Sequence, residues 1–472
     1  MANDSILYLN IAKAIQDQIE KGVLKVGDKL PSVRSAQKLY NVSLNTAKSA
    51  YLELESRSLI RAKPRSGFFV GPLTQPKLSL PTVSKVDAEV NIEEAEDLAE
   101  KIMKTISNPN VTQFGLSIPG ANLLPVAKLN KTLANVVRKR SDAGTSYEPV
   151  QGNERLRKGI AKWAMVLEGK ITDDDLVITS GAMNAIYLSL LAVTKPGDAV
   201  AIETPAYFGF LQALNLLGLR AIEIPTDPIL GVDLDALKKV LPKISACLFV
   251  TNFHNPLGYL MPDEHKKELV KMLAHYHIPL IEDDIHGNLY FGSGRPKPCK
   301  FYDEEGLVLW SASVSKTLAP GYRVGWLAPG KFKNQIISQK ISQTVCSPSL
   351  MSEVIADFLE FGRYDHHLRS FRSKLYSNFL QFRRAVEMYF PDNIKISQPK
   401  GGFMLWLELD KKICTENLYE VAFRQNITFA PGRMFSQHQQ YQNCMRLNYA
   451  MEWTDKVEQD LKKLGDLIKN YR

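Results

Sequence analysis

The sequence predicts two unlike folded units in one chain: a three-helix head closed by a hairpin, and a much longer α/β domain with a large and a small lobe. Three observations carry this. In the first seventy residues apolar positions recur at helical spacing and give way to two short β-prone runs on either side of a basic turn. From 71 to 86, Pro72, Pro76 and Pro81 among several Ser/Thr residues interrupt all periodicity. Beyond that point short apolar runs alternate with helical stretches and lack strict two-residue alternation, as strands buried on both faces of a mainly parallel sheet do.

At 472 residues the chain is long enough for two or three domains and a sizeable core. It shows neither a charged-then-apolar leader nor an apolar run of bilayer length, so a cytoplasmic protein without a membrane partner is expected. Cys247, Cys299, Cys346, Cys414 and Cys444 are odd in number and never spaced as a Cys-x-x-Cys pair, which argues against disulfides and against a metal site. The formal charge is +9, and residues 1–70, with eleven Lys/Arg against six Asp/Glu, carry +5 of it. A basic excess concentrated in a small unit points to nucleic acid.

In the head, Ile11, Ile15 and Ile19 mark the stripe of a first helix, which Gly22 and Gly27 close. Ser32 is placed to cap a second helix through Ala36 and Leu39, and Asn41-Val42-Ser43 makes the turn. A third helix is expected to bury Leu44, Ala47, Tyr51 and Leu54, leaving Asn45, Thr46, Lys48 and Ser49 on or near its opposite face, where they can meet bases or phosphates. Leu59 to Ala62 and Phe68 to Val70 then flank Lys63-Pro64-Arg65-Ser66-Gly67 as a hairpin with a basic tip. Three helices and a basic hairpin describe a winged helix-turn-helix. The order Gly-Asp-x-Leu-Pro-Ser-x-Arg, Val-Ser-x-x-Thr and Gly-Phe-Phe-Val resembles the GntR family of bacterial DNA-binding domains. That resemblance implies operator contacts from Arg34, Ser43, Asn45, Thr46 and Lys48, with Arg65 and Gly67 in the wing. One such head reads few base pairs, so a dimer on two half-sites is expected.

The domain plan is therefore a head at 1–70, a linker at 71–86 and an α/β domain at 87–472. Within the last, strands are expected at Leu176 to Ile178, Ala199 to Ile202, Cys247 to Val250, Ile278 to Ile281 and Leu307 to Trp310. Helices from Leu350 to Tyr389 and a strand from Gly402 to Leu409 make the small lobe.

The chemistry centres on Ser311 to Trp326. Ser313 and Ser315 stand just ahead of Lys316, and Arg323 follows within one short loop. A lysine ringed by hydroxyls and a guanidinium suits a phosphate-bearing aldehyde, with Lys316 forming a Schiff base and Ser313, Ser315 and Arg323 holding the phosphate. Pyridoxal 5′-phosphate is the cofactor that fits. Gly181-Ala182-Met183 follows a strand and opens a helix, where backbone N–H groups can receive a phosphate. Together these segments resemble fold-type I aminotransferases. The resemblance implies that Tyr207 stacks on the pyridine ring, Asn255 donates to its phenolic oxygen, Asp283 keeps its nitrogen protonated and Arg446 grips a substrate carboxylate. It also implies that the loop from Ile118 to Gly120 lies over the pocket. His286 stands where the family often has tyrosine; it either bonds the phenolic oxygen or packs beside the sheet edge.

A GntR-like head joined to such a domain resembles the MocR family of bacterial regulators. That implies a transcriptional regulator, usually a head-to-tail homodimer with each head over the other subunit, binding operator DNA and pyridoxal phosphate on Lys316 and sensing an amino acid or amine. Two further readings stay open: a working aminotransferase with a tethering head, and a sensor of pyridoxal phosphate itself.

Overall fold

The computed structural model describes residues 4–471 apart from 58, 64–65, 72–77, 86–92, 141, 143, 166–168 and 293. In the head, α1 (Asp4–Glu20) lays Tyr8, Ile11, Ile15 and Ile19 against α2 (Val33–Leu39) and α3 (Leu44–Ser56). Ser32 and Ser43 cap α2 and α3, each accepting from the backbone N–H three residues on at 3.1 Å. The hairpin pairs β1 (Ile60–Lys63) with β2 (Gly67–Val70), Lys63 opposite Gly67. Gly67 takes φ +101°, a value that favours glycine at the turn. Arg65, at the tip, lies outside the described residues. One expected core position is wrong: Leu44 begins α3 on the solvent side and is 43% exposed, while Ala47, Ala50, Tyr51 and Leu54 form the buried stripe.

The second unit begins with α4 (Glu93–Lys104), β3 (Thr112–Gln113), α5 (Val126–Lys139) and α6 (Glu154–Met165). The large lobe then runs β4 (Val177–Thr179), α7 (Ala182–Val193), β5 (Ala199–Thr204), α8 (Phe208–Leu216), β6 (Arg220–Asp227), β7 (Gly231–Val232), α9 (Leu234–Val240) and β8 (Ala246–Phe249). It continues through α10 (Asp263–His275), β9 (Leu280–Asp283), β10 (Val308–Ser313), β11 (Gly325–Ala328) and α11 (Lys333–Thr344). These strands make one sheet in the order β4-β11-β10-β9-β8-β5-β6-β7. From β10 across to β6 neighbours are parallel, whereas β11 runs antiparallel between β10 and β4. All five expected strands are present, each within two or three residues of its expected limits. Because both faces of β5, β8, β9 and β10 are buried, they read as continuous apolar runs.

The small lobe follows: α12 (Ser349–Glu360), α13 (Arg363–Tyr389), β12 (Lys395–Ile396), β13 (Met404–Glu408), α14 (Thr415–Arg424), β14 (Ile427–Thr428), β15 (Ala430–Pro431), β16 (Cys444–Asn448) and α15 (Asp455–Lys469). Its sheet is antiparallel, β12-β13-β16-β15. The long helical stretch is two helices because Gly362, at φ +63°, breaks it. β14 pairs with β3, which fixes the segment ahead of the pocket to the small lobe.

The second half of the expected linker is attached along the domain. Ser79 bridges Lys395, Thr82 bonds Glu408 through N–H and hydroxyl at 2.7–2.8 Å, and Ser84 exchanges bonds with Thr226. Polar side chains that read as a solvated spacer are here pairing groups. Within the single chain, α3 lies against α13, and Tyr8 of α1 and Tyr376 of α13 have ring centroids 5.2 Å apart. No helix among the described residues is long and apolar enough to cross a membrane, and no cluster of His, Cys, Asp or Glu there could hold a metal ion.

Candidate functional site

The C-terminal ends of β4, β5, β8, β9 and β10 lead into the loops that carry the expected residues, the usual ligand edge of a parallel sheet. After β10 the chain turns sharply through Val314–Lys316. Ser313 accepts from the Ser315 N–H at 3.0 Å and donates to the Val324 carbonyl at 2.8 Å, so Ser315 donates to Ser313 across 2.8 Å. Arg323 sits at φ +54° and aims its guanidinium at the Ser315 hydroxyl and the Ser180 carbonyl, both at 3.1 Å.

Ser180 precedes the N-terminus of α7, where Gly181 at φ +93° is the cap and no side chain bonds the first-turn N–H groups. A Cβ at Gly181 would lie 2.3 Å from an Arg323 nitrogen. Glycine, arginine, two serines and an uncapped helix end thus form a cradle for an anion such as phosphate, with Ala182 and Met183 supplying N–H groups.

Lys316 is half-buried, and its ammonium donates to the Ser117 carbonyl in the segment ahead of the pocket. Burial first, then Arg446 and Arg323, pull its pKa down to about 8, with Asp283 opposing. Asp283 is pushed up to about 7 by burial and by Asp284, against a bond from the Ile285 N–H at 3.1 Å and the charge of Lys316.

Three carboxylates follow one another at the end of β9, and their partners separate them. Glu282 accepts from Thr251 and the Cys299 and Lys300 N–H groups. Asp284 pairs with Arg295 and accepts from Asn252 at 2.8 Å and Trp310 at 2.9 Å. Asp283 alone of the three faces Lys316.

Arg446, fully buried on β16, donates to Asn255 at 2.9 Å and to the Gly115 carbonyl at 2.5 Å, and its guanidinium carbon lies 5.1 Å from the Phe435 ring centroid. Tyr207 precedes α8, within electrostatic reach of Arg446, Asp283 and Arg323. His286 is 1% exposed, meets Phe403 edge-on at 5.2 Å, and has the Phe253 backbone carbonyl beside its ring without close hydrogen-bonding geometry. Burial and Lys316 lower it to about 3, against that carbonyl, so it is a neutral imidazole. Arg446 Nε is a buried donor with no acceptor among the described residues. The cradle, the lysine, the neutral imidazole and this open Arg446 Nε fit pyridoxal phosphate.

Sequence reasoning missed several supports. Asn448 holds the Ile118 carbonyl at 2.8 Å; Tyr364 and His367 of α13 hold the Thr317 hydroxyl and carbonyl at 2.8 and 2.7 Å. These are contacts between distant segments, with no local spacing to signal them.

In the head, Arg34, Asn45 and Lys48 are exposed. Ser43 and Thr46 are differently placed from expectation: the Ser43 hydroxyl is taken up by the helix cap, and Thr46, 6% exposed, bonds Ser43 through its own hydroxyl at 2.7 Å.

Comparison with known proteins agrees with this architecture. The family described as aminotransferase class I and II matches residues 117–464, and the bacterial regulatory proteins of the gntR family match residues 7–70. YdcR and YjiR of Escherichia coli, each described as an uncharacterized HTH-type transcriptional regulator, are 36% and 34% identical, each over 98% of both chains. Among solved structures, LysN, the alpha-aminoadipate aminotransferase of Thermus thermophilus, complexed with N-(5′-phosphopyridoxyl)-L-leucine, is 26% identical with a TM-score of 0.72, covering 79% of this chain and 94% of its own. With both units matched and its curated relatives aligned end to end, the chain belongs to the MocR family, a GntR-type winged-helix head fused to an aminotransferase class I and II domain.

Proposed function

We propose that this protein is a DNA-binding transcriptional regulator whose aminotransferase-like domain holds pyridoxal phosphate on Lys316 and responds to an amino acid or amine. The observation that carries the reading is one site in which Lys316, Asp283, the Gly181–Arg323 cradle and the Arg446–Asn255 pair converge, in the same chain as a winged-helix head. When bound, the cofactor supplies an electrophilic carbon and an electron sink.

The protein's own residues divide the remaining work. Ser313, Ser315, Arg323 and the N–H groups of Ala182 and Met183 would receive the phosphate, Asp283 would hold a proton at the ring nitrogen, and Tyr207 would cover the ring. Asn255 and His286 would serve the phenolic oxygen. Arg446 would orient a ligand carboxylate, and a free Lys316 amine would hold or move a proton at its Nζ. Arg34, Asn45 and Lys48, with Arg65 and Gly67 in the wing, are assigned to DNA. Two copies, paired head to tail, would read two half-sites.

Arg446 in its buried fork is the observation favouring a second reading, a transaminase with a tethering head. One experiment separates them. The purified protein is titrated with pyridoxal phosphate, then with amino acids and amines, while cofactor absorbance and affinity for its own upstream DNA are followed at fixed salt. Spectral change accompanied by a shift in DNA affinity supports regulation. Spectral change with sustained turnover and unaltered DNA affinity supports the enzyme, and absence of cofactor binding removes both.

A further inference from the structure

Glu203 is the last residue but one of β5 and stands just ahead of the turn that carries Tyr207; its side chain is buried. Its partners come from the neighbouring strand and the loop beyond it. The Val250 N–H, just past β8, donates to Oε2 at 2.9 Å, and the Tyr259 hydroxyl donates to Oε1. His254 Nε2 lies 3.4 Å from Oε2. No lysine or arginine among the described residues pairs with this carboxylate. Taking a carboxylate out of water without a cation is costly, and such departures from the burial rule gather at functional sites.

His254 and Tyr259 are the two ends of one turn. The His254 N–H donates to the Tyr259 carbonyl at 3.0 Å, the Gly258 N–H donates to the His254 carbonyl at 2.7 Å, and the two rings stack with centroids 4.8 Å apart. His254 Nδ1 accepts from the Leu257 N–H at 3.3 Å, so the ring's own proton is on Nε2, toward Glu203. Asn255 lies inside this turn. Its side-chain oxygen accepts from Arg446 at 2.9 Å, which leaves its amide N–H groups to donate elsewhere. One carboxylate therefore meets both ends of the turn that presents Asn255.

We propose that Glu203 is a positioning residue for the cofactor site: through Tyr259 and His254 it fixes the turn so that Asn255 keeps its amide toward the cofactor's phenolic oxygen while accepting from Arg446. The inference rests on the assignment of Asn255 to that oxygen. Because Glu203 also leads into the Tyr207 turn, the residue assigned to the face of the ring and the one assigned to its edge are set from a single point.

The test uses the full chain loaded with pyridoxal phosphate and reads the midpoint of the bound cofactor's absorbance change with pH. A donor to the phenolic oxygen favours its ionised form, so loss of the amide in Asn255→Ala should raise the midpoint by about one pH unit. Tyr259→Phe removes one hydroxyl and keeps the stacked ring; it should raise the midpoint by about half a pH unit, and Glu203→Gln should do so by at least as much. In the Asn255→Ala background Tyr259→Phe should add nothing, because its effect passes through the missing amide. Should Glu203→Gln fail to fold, Tyr259→Phe carries the test. An unmoved midpoint in Tyr259→Phe, whatever its melting temperature, overturns the inference, and so does a shift that persists in the Asn255→Ala background. An unmoved midpoint in Asn255→Ala instead defeats the assignment of Asn255 beneath it, and a native chain that acquires no cofactor absorbance defeats the cofactor reading itself.

Discussion

Arg446 donates to Asn255 across 2.9 Å. The group assigned to a ligand carboxylate and the group assigned to the cofactor's phenolic oxygen are thus one hydrogen-bonded unit, so a carboxylate arriving on Arg446 is felt at the ring. Arg446→Lys keeps the charge and loses the planar fork, since an ammonium cannot hold Asn255, Gly115 and a carboxylate in one plane. Affinity of the cofactor-loaded protein for an amino acid should fall about 100-fold, corresponding to roughly 2–3 kcal/mol for charge-assisted bonds. The matching amine without a carboxylate should change far less. Spectral titration with the pair measures the difference.

Lys316 sets the pH dependence of loading. Its pKa is pulled down to about 8 by burial and the neighbouring arginines, and only the uncharged amine attacks an aldehyde. The loading rate should climb about tenfold per pH unit up to pH 7 and level off above about 8. A rate still climbing at pH 9.5 would mean an ordinary exposed lysine. Stopped-flow absorbance after mixing with pyridoxal phosphate gives the profile, and Lys316→Ala should show no borohydride-fixable mass gain.

Most of the fold was legible because its strands are buried on both faces and its helices carry clear apolar stripes. Lys316, Arg323 and Gly181 were legible because their chemistry depends on residue type and local turn geometry, whereas Arg446, inside strand β16, was reached only through the resemblance. What could not be read is the set of partners that arrive from afar. Ser79, Thr82 and Ser84 look like linker until Lys395, Glu408 and Thr226 are beside them. Thr46 reads as a DNA contact because spacing alone does not show its hydroxyl turned back on Ser43.

Gly181→Ala tests the cradle. Alanine at φ +93° is strained, and its Cβ would meet Arg323 at 2.3 Å, so the guanidinium must leave Ser315 and Ser180. Pyridoxal phosphate should bind about 100-fold more weakly, consistent with losing roughly 3 kcal/mol of charge-assisted bonding to the phosphate. Pyridoxal, which lacks the phosphate, should lose little. Equilibrium titrations of the two aldehydes separate a phosphate effect from general damage.

Asp283 and Asp284 are adjacent in sequence and should respond oppositely to the same change. Asp284 is paired with buried Arg295 and bonded by Asn252 and Trp310; Asp284→Asn leaves that guanidinium without its counter-ion, which costs about 3–5 kcal/mol. Asp283 is pushed up to about 7 by burial, so the folded protein holds its proton more tightly than the unfolded chain does. The folded form is therefore unpenalised below about pH 4. It is progressively destabilised as pH rises toward 7, and above that bears the full cost, at most about 4 kcal/mol. Asp283→Asn removes the ionisation and should leave the cofactor-free protein more stable than the native chain at pH 8 and indistinguishable from it near pH 4. Thermal unfolding of the cofactor-free proteins at both pH values decides. Equal destabilisation by the two substitutions at pH 8 would mean that Asp283 is a structural carboxylate like its neighbour, and would withdraw it from the ring nitrogen.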